Sequence, residues 1–108
     1  MHITQISQDF SVSSQITAAD VTEIAKAGFK SIICNRPDFE EPTQPVFNDI
    51  ANAAHDAGLK TAHIPITAMP MPAQIKEMDN AMSELPTPIF AYCRSGNRSS
   101  ILFHAANG

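Results

Sequence analysis

The stretch AYCRSGNRSS, residues 91–100, sets one cysteine directly after an apolar run and follows it with two arginines, a glycine and three serines. The apolar run predicts a short buried strand from Pro88 to Tyr92, and a helix is predicted over Ser99 to Ala106. Gly96 permits a positive φ angle, so the loop between them can curl with its backbone N–H groups pointing inward. Such a loop before a helix N-terminus binds anions. The stretch therefore predicts an anion-binding loop around Cys93.

Cys93 is the candidate nucleophile of this loop. A helix N-terminus and neighbouring arginines favour the thiolate form of a cysteine, and Arg98 can place two N–H groups on one oxyanion. Ser99 or Ser100 is expected to donate a hydrogen bond to the sulfur, and Arg94 to face solvent and steer a charged substrate. The predicted catalytic residues are Cys93, Arg98 and Ser99. The predicted anion-binding residues are Arg94, Ser95, Gly96, Asn97 and Arg98. A plain turn around a buried core cysteine is the simpler alternative.

Strand and helix patterns alternate along the rest of the chain. The predicted order is one or two strands over Ile3 to Val12, a helix capped by Thr17 and closed by Gly28, a strand from Phe29 to Cys34, a helix from about Gln44 to Ala57, a strand from Lys60 to Ile66, and a helix from Ala73 to Leu85. This alternation requires crossover connections, so it predicts an α/β fold with a mainly parallel central sheet flanked by helices. Ligands of such sheets bind at the carboxyl ends of the strands. We expect a single domain over residues 1–108.

Composition excludes several classes of partner. The chain has 108 residues and a formal net charge of -4, without a basic run, so it is a poor candidate for nucleic-acid binding. No stretch approaches the roughly 20 apolar residues of a membrane span, and the first residues lack the pattern of a secretory signal. We therefore expect a cytoplasmic protein. Two cysteines do not make a disulfide scaffold, and the four histidines lack a close ligand spacing, so neither a metal nor a cofactor is predicted.

Three segments together resemble a known family of bacterial proteins. They are QITAADVTEIAKAGFKSIICNRPDFEEPTQP (15–45), HIPI (63–66) and the loop at 91–100. The family is the beta-lactamase hydrolase-like protein, phosphatase-like domain. The resemblance implies a dual-specificity-phosphatase-like fold. Members are described both as candidate phosphatases and as sulfurtransferases, and some are fused to metal-dependent persulfide dioxygenases. The loop by itself resembles that of rhodanese-type sulfurtransferases and, more loosely, the phosphate loop of cysteine-dependent phosphatases.

Members of the family usually continue for several further helices. The resemblance therefore implies either a naturally reduced chain or one truncated at its C-terminus. Either would leave apolar surface uncovered around Ile101, Leu102 and Phe103, and self-association into a homo-oligomer would cover it.

Two departures from the phosphatase pattern favour sulfur transfer. Phosphatases typically carry five residues between cysteine and arginine, whereas four separate Cys93 from Arg98; rhodanese-type enzymes use this shorter loop. Phosphatases of this fold usually place an aspartate general acid shortly after the strand that reads HIPI here, and this chain has Thr67, Ala68 and Met69 instead. An alkoxide is hard to expel without an acid, whereas sulfur transfer releases a stable anion.

Three accessory residues follow the strand that ends at Cys34 or belong to it. Asp38 is the best substitute acid, with capping of the adjacent turn as the alternative. Arg36 either braces the loop, widens the positive field, or pairs with Glu40 or Glu41. Cys34 either forms a protective disulfide with the loop cysteine, as in some phosphatases of related fold, or is a packed strand cysteine.

The leading hypothesis from the sequence is a cysteine-dependent sulfurtransferase. The Cys93 thiolate would accept a sulfane sulfur from thiosulfate or a persulfide and pass it to an acceptor thiol or cyanide. The first alternative is a phosphatase, a phosphoric monoester hydrolase of the protein-tyrosine or dual-specificity kind, with a phosphocysteine intermediate. The second is a non-catalytic anion-binding module. All three hypotheses require a small anionic ligand.

Overall fold

A computed structural model describes residues 2–107 of the chain, which form one central sheet and flanking helices. The elements in chain order are β1 (Ile3–Ser7), β2 (Phe10–Ser13), α1 (Ala18–Lys26), β3 (Ser31–Cys34), α2 (Phe47–Asp56), β4 (Lys60–His63), α3 (Pro72–Glu84), β5 (Ile89–Tyr92) and α4 (Asn97–Asn107). The predicted α/β alternation is confirmed. In residues 2–107 no helix combines the length and apolar character needed to cross a bilayer.

The sheet has the strand order β1-β2-β5-β3-β4. Only the β1–β2 pair is antiparallel, and the other three pairs are parallel. Strand β5 lies at the centre and all its residues are buried, which is typical of a continuous apolar run between two parallel neighbours. Ser13 of β2 and Cys34 of β3 both lie opposite Tyr92. The carboxyl ends of these three strands therefore meet at one edge of the sheet.

Alternating side chains of β5 enter two separate apolar clusters. Phe90 and Tyr92 pack with buried residues of α1 and α2, whereas Ile89 and Ala91 pack with those of α3 and α4. Because successive side chains of a strand point to opposite faces, one helix pair covers each face of the sheet. The short strand and its two helical layers thus hold the start of the 93–98 loop in place.

Two predicted helix starts differ from the observed ones. Helix α4 begins at Asn97 rather than Ser99, so Arg98 belongs to its first turn. Helix α2 begins at Phe47 rather than about Gln44. Its first N–H group donates to Asp38 Oδ1 at 2.8 Å, which fixes the helix start after Pro45.

Two predicted strands are shorter than expected by more than one residue, whereas the predicted end of α1 at Gly28 is confirmed. Strand β3 begins at Ser31 rather than Phe29, and β4 ends at His63, two residues before Pro65, which has no N–H group to continue the pairing. Gly28 follows the C-cap of α1 with a φ of 100°.

The expected apolar surface on α4 is wrong for two of its three residues. Leu102 and Phe103 are 0% and 5% exposed. Phe103 is buried because its ring packs on that of Phe10, with ring centroids 4.4 Å apart. The exposed apolar surface that suggested self-association is therefore absent at Leu102 and Phe103. A homo-oligomer stays a prediction.

Candidate active site

The loop after β5 curls around the sulfur of Cys93. The Cys93 N–H group donates to the Ser13 carbonyl oxygen at 3.3 Å, which ties the loop to the end of β2. Gly96 has a φ of 94°, a backbone conformation that favours glycine. Its N–H group donates to Cys93 Sγ at 3.0 Å. The predicted turn of the backbone toward the sulfur is thus present at Gly96.

Several other N–H groups of the loop remain available. Within residues 2–107, four of them have no acceptor, those of Arg94, Ser95, Arg98 and Ser99. Two belong to the first turn of α4, where the helix itself supplies no acceptor and the helix dipole favours an anion. The N–H group of Asn97 lies 3.3 Å from the Ser95 hydroxyl. These amides are the donors that an oxyanion would use.

The predicted serine contact to the sulfur is not observed. Ser99 Oγ is buried and has no hydrogen-bond partner within the described residues, and Gly96 N–H donates to Sγ instead. Cys93 itself is 0% exposed. Its neighbours Arg94, Ser95 and Arg98 line a cleft of about 700 Å³, whereas Cys93 does not. The structure therefore shows the sulfur in a covered position.

Arg98 is held by a carboxylate from a distant loop. Its Nη1 and Nη2 groups donate to the two oxygens of Glu40, each at 2.8 Å, and Nη1 also donates to the Ile66 carbonyl oxygen at 2.8 Å. The hydrogen bond from Arg98 lowers the pKa of Glu40 to about 2. The same bond raises the pKa of Arg98. This two-pronged pair is therefore ionised on both sides at neutral pH.

Arg36 joins the acidic loop, the connection between β3 and α2 that carries Glu40 and Glu41, to the rest of the site. Its side chain is 3% exposed and donates to Glu40 at 2.9 Å, to Glu41 at 2.9 Å and to the Gln15 side-chain oxygen at 3.0 Å. Glu41 also pairs with Arg94 at 3.1 Å, and the Arg94 side chain is 69% exposed. Of the alternatives for Arg36, the structure shows pairing with both Glu40 and Glu41. Because these glutamates in turn pair with Arg98 and Arg94, Arg36 also braces the 93–98 loop.

The contacts of Glu40 and Glu41 with the two loop arginines were not predicted from the sequence. Glu40 and Arg98 are 58 positions apart, so no local spacing connects them. The available signal was topological, because the segments that follow β3 and β5 leave the same edge of the sheet. This topology predicts that Arg36 and Asp38 lie near the 93–98 loop. The same reasoning applies to Glu40 and Glu41, which follow them in the chain.

Asp38 does not reach the cleft as a free acid. Its Oδ1 accepts the N–H group of Phe47, the first residue of α2. The carboxylate therefore caps a helix, which differs from both the catalytic prediction and the predicted cap of its own turn. Thr67, Ala68 and Met69 line the cleft where an acid was expected, and none of these side chains is a carboxylic acid.

Cys34 is a packed thiol. It is 2% exposed, unpaired with another cysteine, and its Sγ donates to the Arg36 carbonyl oxygen at 3.3 Å. Burial raises the pKa of Cys34 to about 11, so it stays protonated near neutral pH and reacts slowly in disulfide exchange. This arrangement favours the packed strand cysteine over the redox partner. Among residues 2–107 no group of three His, Cys, Asp or Glu side chains is placed to hold a metal ion.

The family model of the "Beta-lactamase hydrolase-like protein, phosphatase-like domain" matches residues 2–107. The chain belongs to this family. The resemblance seen in the sequence is thereby confirmed. The segment 35–38 after β3 and the cysteine loop both lie within the matched residues.

Individual members of this phosphatase-like domain family are similar over nearly the whole chain. A beta-lactamase hydrolase-like protein of Agrobacterium fabrum is 35% identical over 104 residues, which are 95% of this chain and 24% of that protein. The chain thus spans about a quarter of that relative's length. A crystal structure of a candidate phosphatase from Neisseria meningitidis is 37% identical with a TM-score of 0.88, covering 95% of this chain and 74% of that one.

The fold also occurs in a more distant enzyme. The structure of a kinase-associated phosphatase has a TM-score of 0.75 and 18% identity, covering 99% of this chain and 75% of that one. At that identity the likeness concerns the fold alone. Together with the nearer structure it confirms a cysteine-dependent phosphatase-like fold.

Proposed function

We propose that this domain is a cysteine-dependent phosphatase that forms a phosphocysteine on Cys93. The observation that carries the proposal is the loop itself, in which the Gly96 N–H group contacts Sγ and further N–H groups lack acceptors within residues 2–107. The likeness to the candidate phosphatase of Neisseria meningitidis supports phosphoryl over sulfur transfer. This reverses the order of the two hypotheses reached from the sequence.

The proposed reaction has two displacements at phosphorus. In the first, the Cys93 thiolate attacks the phosphoryl group, the S–P bond forms, and the bond to the leaving oxygen breaks. In the second, water attacks the phosphorus atom, the S–P bond breaks, and inorganic phosphate and the thiolate are released while one proton of the water passes to solvent. The loop N–H groups and Arg98 stabilise the charge on the phosphoryl oxygens in both steps.

The substrate class follows from the missing acid. Asp38 caps α2, Glu40 stays ionised because Arg98 holds its pKa at about 2, and Glu41 lies between Arg36 and Arg94. General-acid help is typically worth about 10²–10⁴-fold in rate, so a basic alkoxide would leave slowly. We therefore propose aryl phosphates, acyl phosphates or phosphoanhydrides, whose leaving groups depart as weakly basic anions.

Sulfur transfer is the second candidate, and the short loop favours it. Four residues separate Cys93 from Arg98, and the reaction needs no acid. The thiolate would attack the outer sulfur of thiosulfate, forming a cysteine persulfide and releasing sulfite, and cyanide would then remove the sulfur as thiocyanate. Either reaction requires the loop to uncover Cys93, which is 0% exposed.

One set of assays tests the proposal. Purified protein and Cys93→Ser are compared on 4-nitrophenyl phosphate, on an alkyl phosphate, and on thiosulfate with cyanide. We expect hydrolysis of the aryl ester that exceeds that of the alkyl ester at least about a hundredfold and that disappears in Cys93→Ser. Thiocyanate formation that depends on Cys93 and exceeds phosphate release would replace the proposal with sulfur transfer. No turnover of either kind, with phosphate still bound, would make the domain an anion-binding module.

A further inference from the structure

Glu40 occupies only one edge of the Arg98 guanidinium group. An arginine has five N–H donors in a planar fork. Both protons of Nη1 are used, one by Glu40 and one by the Ile66 carbonyl oxygen, and Nη2 gives one proton to Glu40. Within residues 2–107, Nε–H and the second Nη2 proton have no acceptor. These two protons lie side by side on the other edge of the plane.

Glu40 is itself fixed from behind by a buried charge. Arg36 Nε donates to Glu40 Oε1 at 2.9 Å, and the Arg36 side chain is 3% exposed. The Glu40 N–H group donates to the Gln44 side-chain oxygen at 3.2 Å, and Phe39 before it adopts a φ of 65° while 83% exposed. A bulky residue in that conformation is strained. The backbone of this turn is therefore strained at Phe39, directly before the residue whose carboxylate binds Arg98.

We infer that Glu40, held by Arg36, is a positioning residue that turns the free edge of Arg98 toward an oxyanion bound in the 93–98 loop. Two parallel N–H groups match two oxygens of a tetrahedral anion. The Ile66 carbonyl oxygen accepts the other Nη1 proton of the same guanidinium group, so its plane cannot rotate without breaking these bonds. The inference needs the anion site of the proposed function but not its reaction.

The competing explanation is that Glu40 acts as a blocking anion. A carboxylate that merely occupied the site would have to leave before a substrate enters, and its removal would improve anion binding. Removal of a positioning carboxylate weakens anion binding instead, once long-range charge is screened. At about 0.5 M salt the Debye length is only about 4 Å, so the lost charge of Glu40 no longer favours an incoming anion by itself.

The experiment measures binding of inorganic phosphate by calorimetry at low salt and at about 0.5 M NaCl. We expect Glu40→Gln to weaken phosphate binding about tenfold at high salt, because a neutral amide cannot accept from both Nη groups. Glu77→Gln is the control, because it removes the same charge from an exposed position of α3 that does not line the cleft. It should keep most of the affinity.

A second variant tests the relay behind Glu40. Arg36→Lys keeps the charge but cannot reach its three partners with one planar group, and we expect it to weaken phosphate binding in the same direction as Glu40→Gln. Thermal melts of all variants show whether they are folded. Phosphate binding that is unchanged or tighter in Glu40→Gln at high salt overturns the inference, and so does a wild-type protein that binds no phosphate. Phosphate binding without turnover would overturn the proposed reaction only.

Discussion

At the scale of single residues, Gly96 determines whether the loop can form. Its φ of 94° places the N–H group on Cys93 Sγ, and an added Cβ would lie 3.5 Å from the Ser13 carbonyl group, which is ordinary contact. Gly96→Ala therefore suffers from backbone strain and not from a clash. We expect it to lower the free energy of unfolding by about 1–2 kcal/mol and to weaken phosphate binding, as urea denaturation and calorimetry would measure.

Gly28 provides the matched control for this substitution. It has a φ of 100°, an added Cβ there would meet no atom within 4 Å, and it follows α1 far from the loop in sequence. Gly28→Ala should lose a similar free energy of unfolding and bind phosphate as the wild type does. Equal phosphate binding by both variants would contradict a role of the Gly96 conformation in the anion site.

The residues of the loop could be predicted because they are neighbours in sequence. Within 93–98, the glycine indicates a turn, and the cysteine and the arginine indicate a nucleophile and a positively charged hydrogen-bond donor. None of these inferences needs the rest of the chain. Glu40 could not be assigned to Arg98 in the same way, because its contact depends on which strands are adjacent in the sheet. The Ser99 prediction failed in its detail, since one residue's hydroxyl orientation depends on where α4 starts.

At the scale of elements, Asp38 is expected to stabilise α2 and to have no catalytic role. Its Oδ1 accepts from the Phe47 N–H group at 2.8 Å, and a negative charge near a helix N-terminus is favourable. Asp38→Ala should cost about 1 kcal/mol of unfolding free energy, and Asp38→Asn less, because the amide oxygen still accepts. Aryl-phosphate turnover by the folded variants should stay within about twofold of the wild type, far less than the loss of a general acid causes.

Asp20 offers a comparison at another helix. Its Oδ2 accepts the Thr17 N–H group at 2.9 Å at the start of α1, so Asp20→Ala should lose stability by a similar mechanism with unchanged turnover. If Asp38→Asn alone lowered turnover about a hundredfold, Asp38 would be the acid after all.

Element order was predictable, whereas element ends were less so. Hydrophobic runs and the glycines after α1 and α2 indicated the alternation of strands and helices, because their effect on the backbone depends only on neighbouring residues. The starts of α2 and α4 depend on contacts from elsewhere: Asp38 reaches across nine residues to Phe47. Such contacts leave no periodic pattern in the helix that they cap.

At the scale of the whole molecule, salt bridges and one hydrogen bond to an amide join three segments that leave the same edge of the sheet. Gln15 precedes α1, Glu40 and Glu41 belong to the β3–α2 connection, and Arg98 lies in the first turn of α4. Arg36 contacts the first three of these residues, and Glu40 contacts Arg98. The acidic loop is thus fastened across the cleft. Its attachment depends on the ionised form of Glu40.

This dependence predicts how stability changes with pH. The pKa of Glu40 falls from an ordinary 4.5 to about 2 in the folded chain because Arg98 binds its carboxylate. A lowered folded-state pKa stabilises the fold fully above about 4.5, and the contribution is lost as the pH falls toward 2. The wild type should therefore exceed Glu40→Gln in unfolding free energy at pH 6, and the gap should close between pH 4.5 and 2 in urea titrations. Glu77→Gln on the exposed side of α3 controls for the loss of a charge alone. If the difference in unfolding free energy between wild type and Glu40→Gln stayed constant down to pH 2, the Glu40–Arg98 pair would not hold the acidic loop.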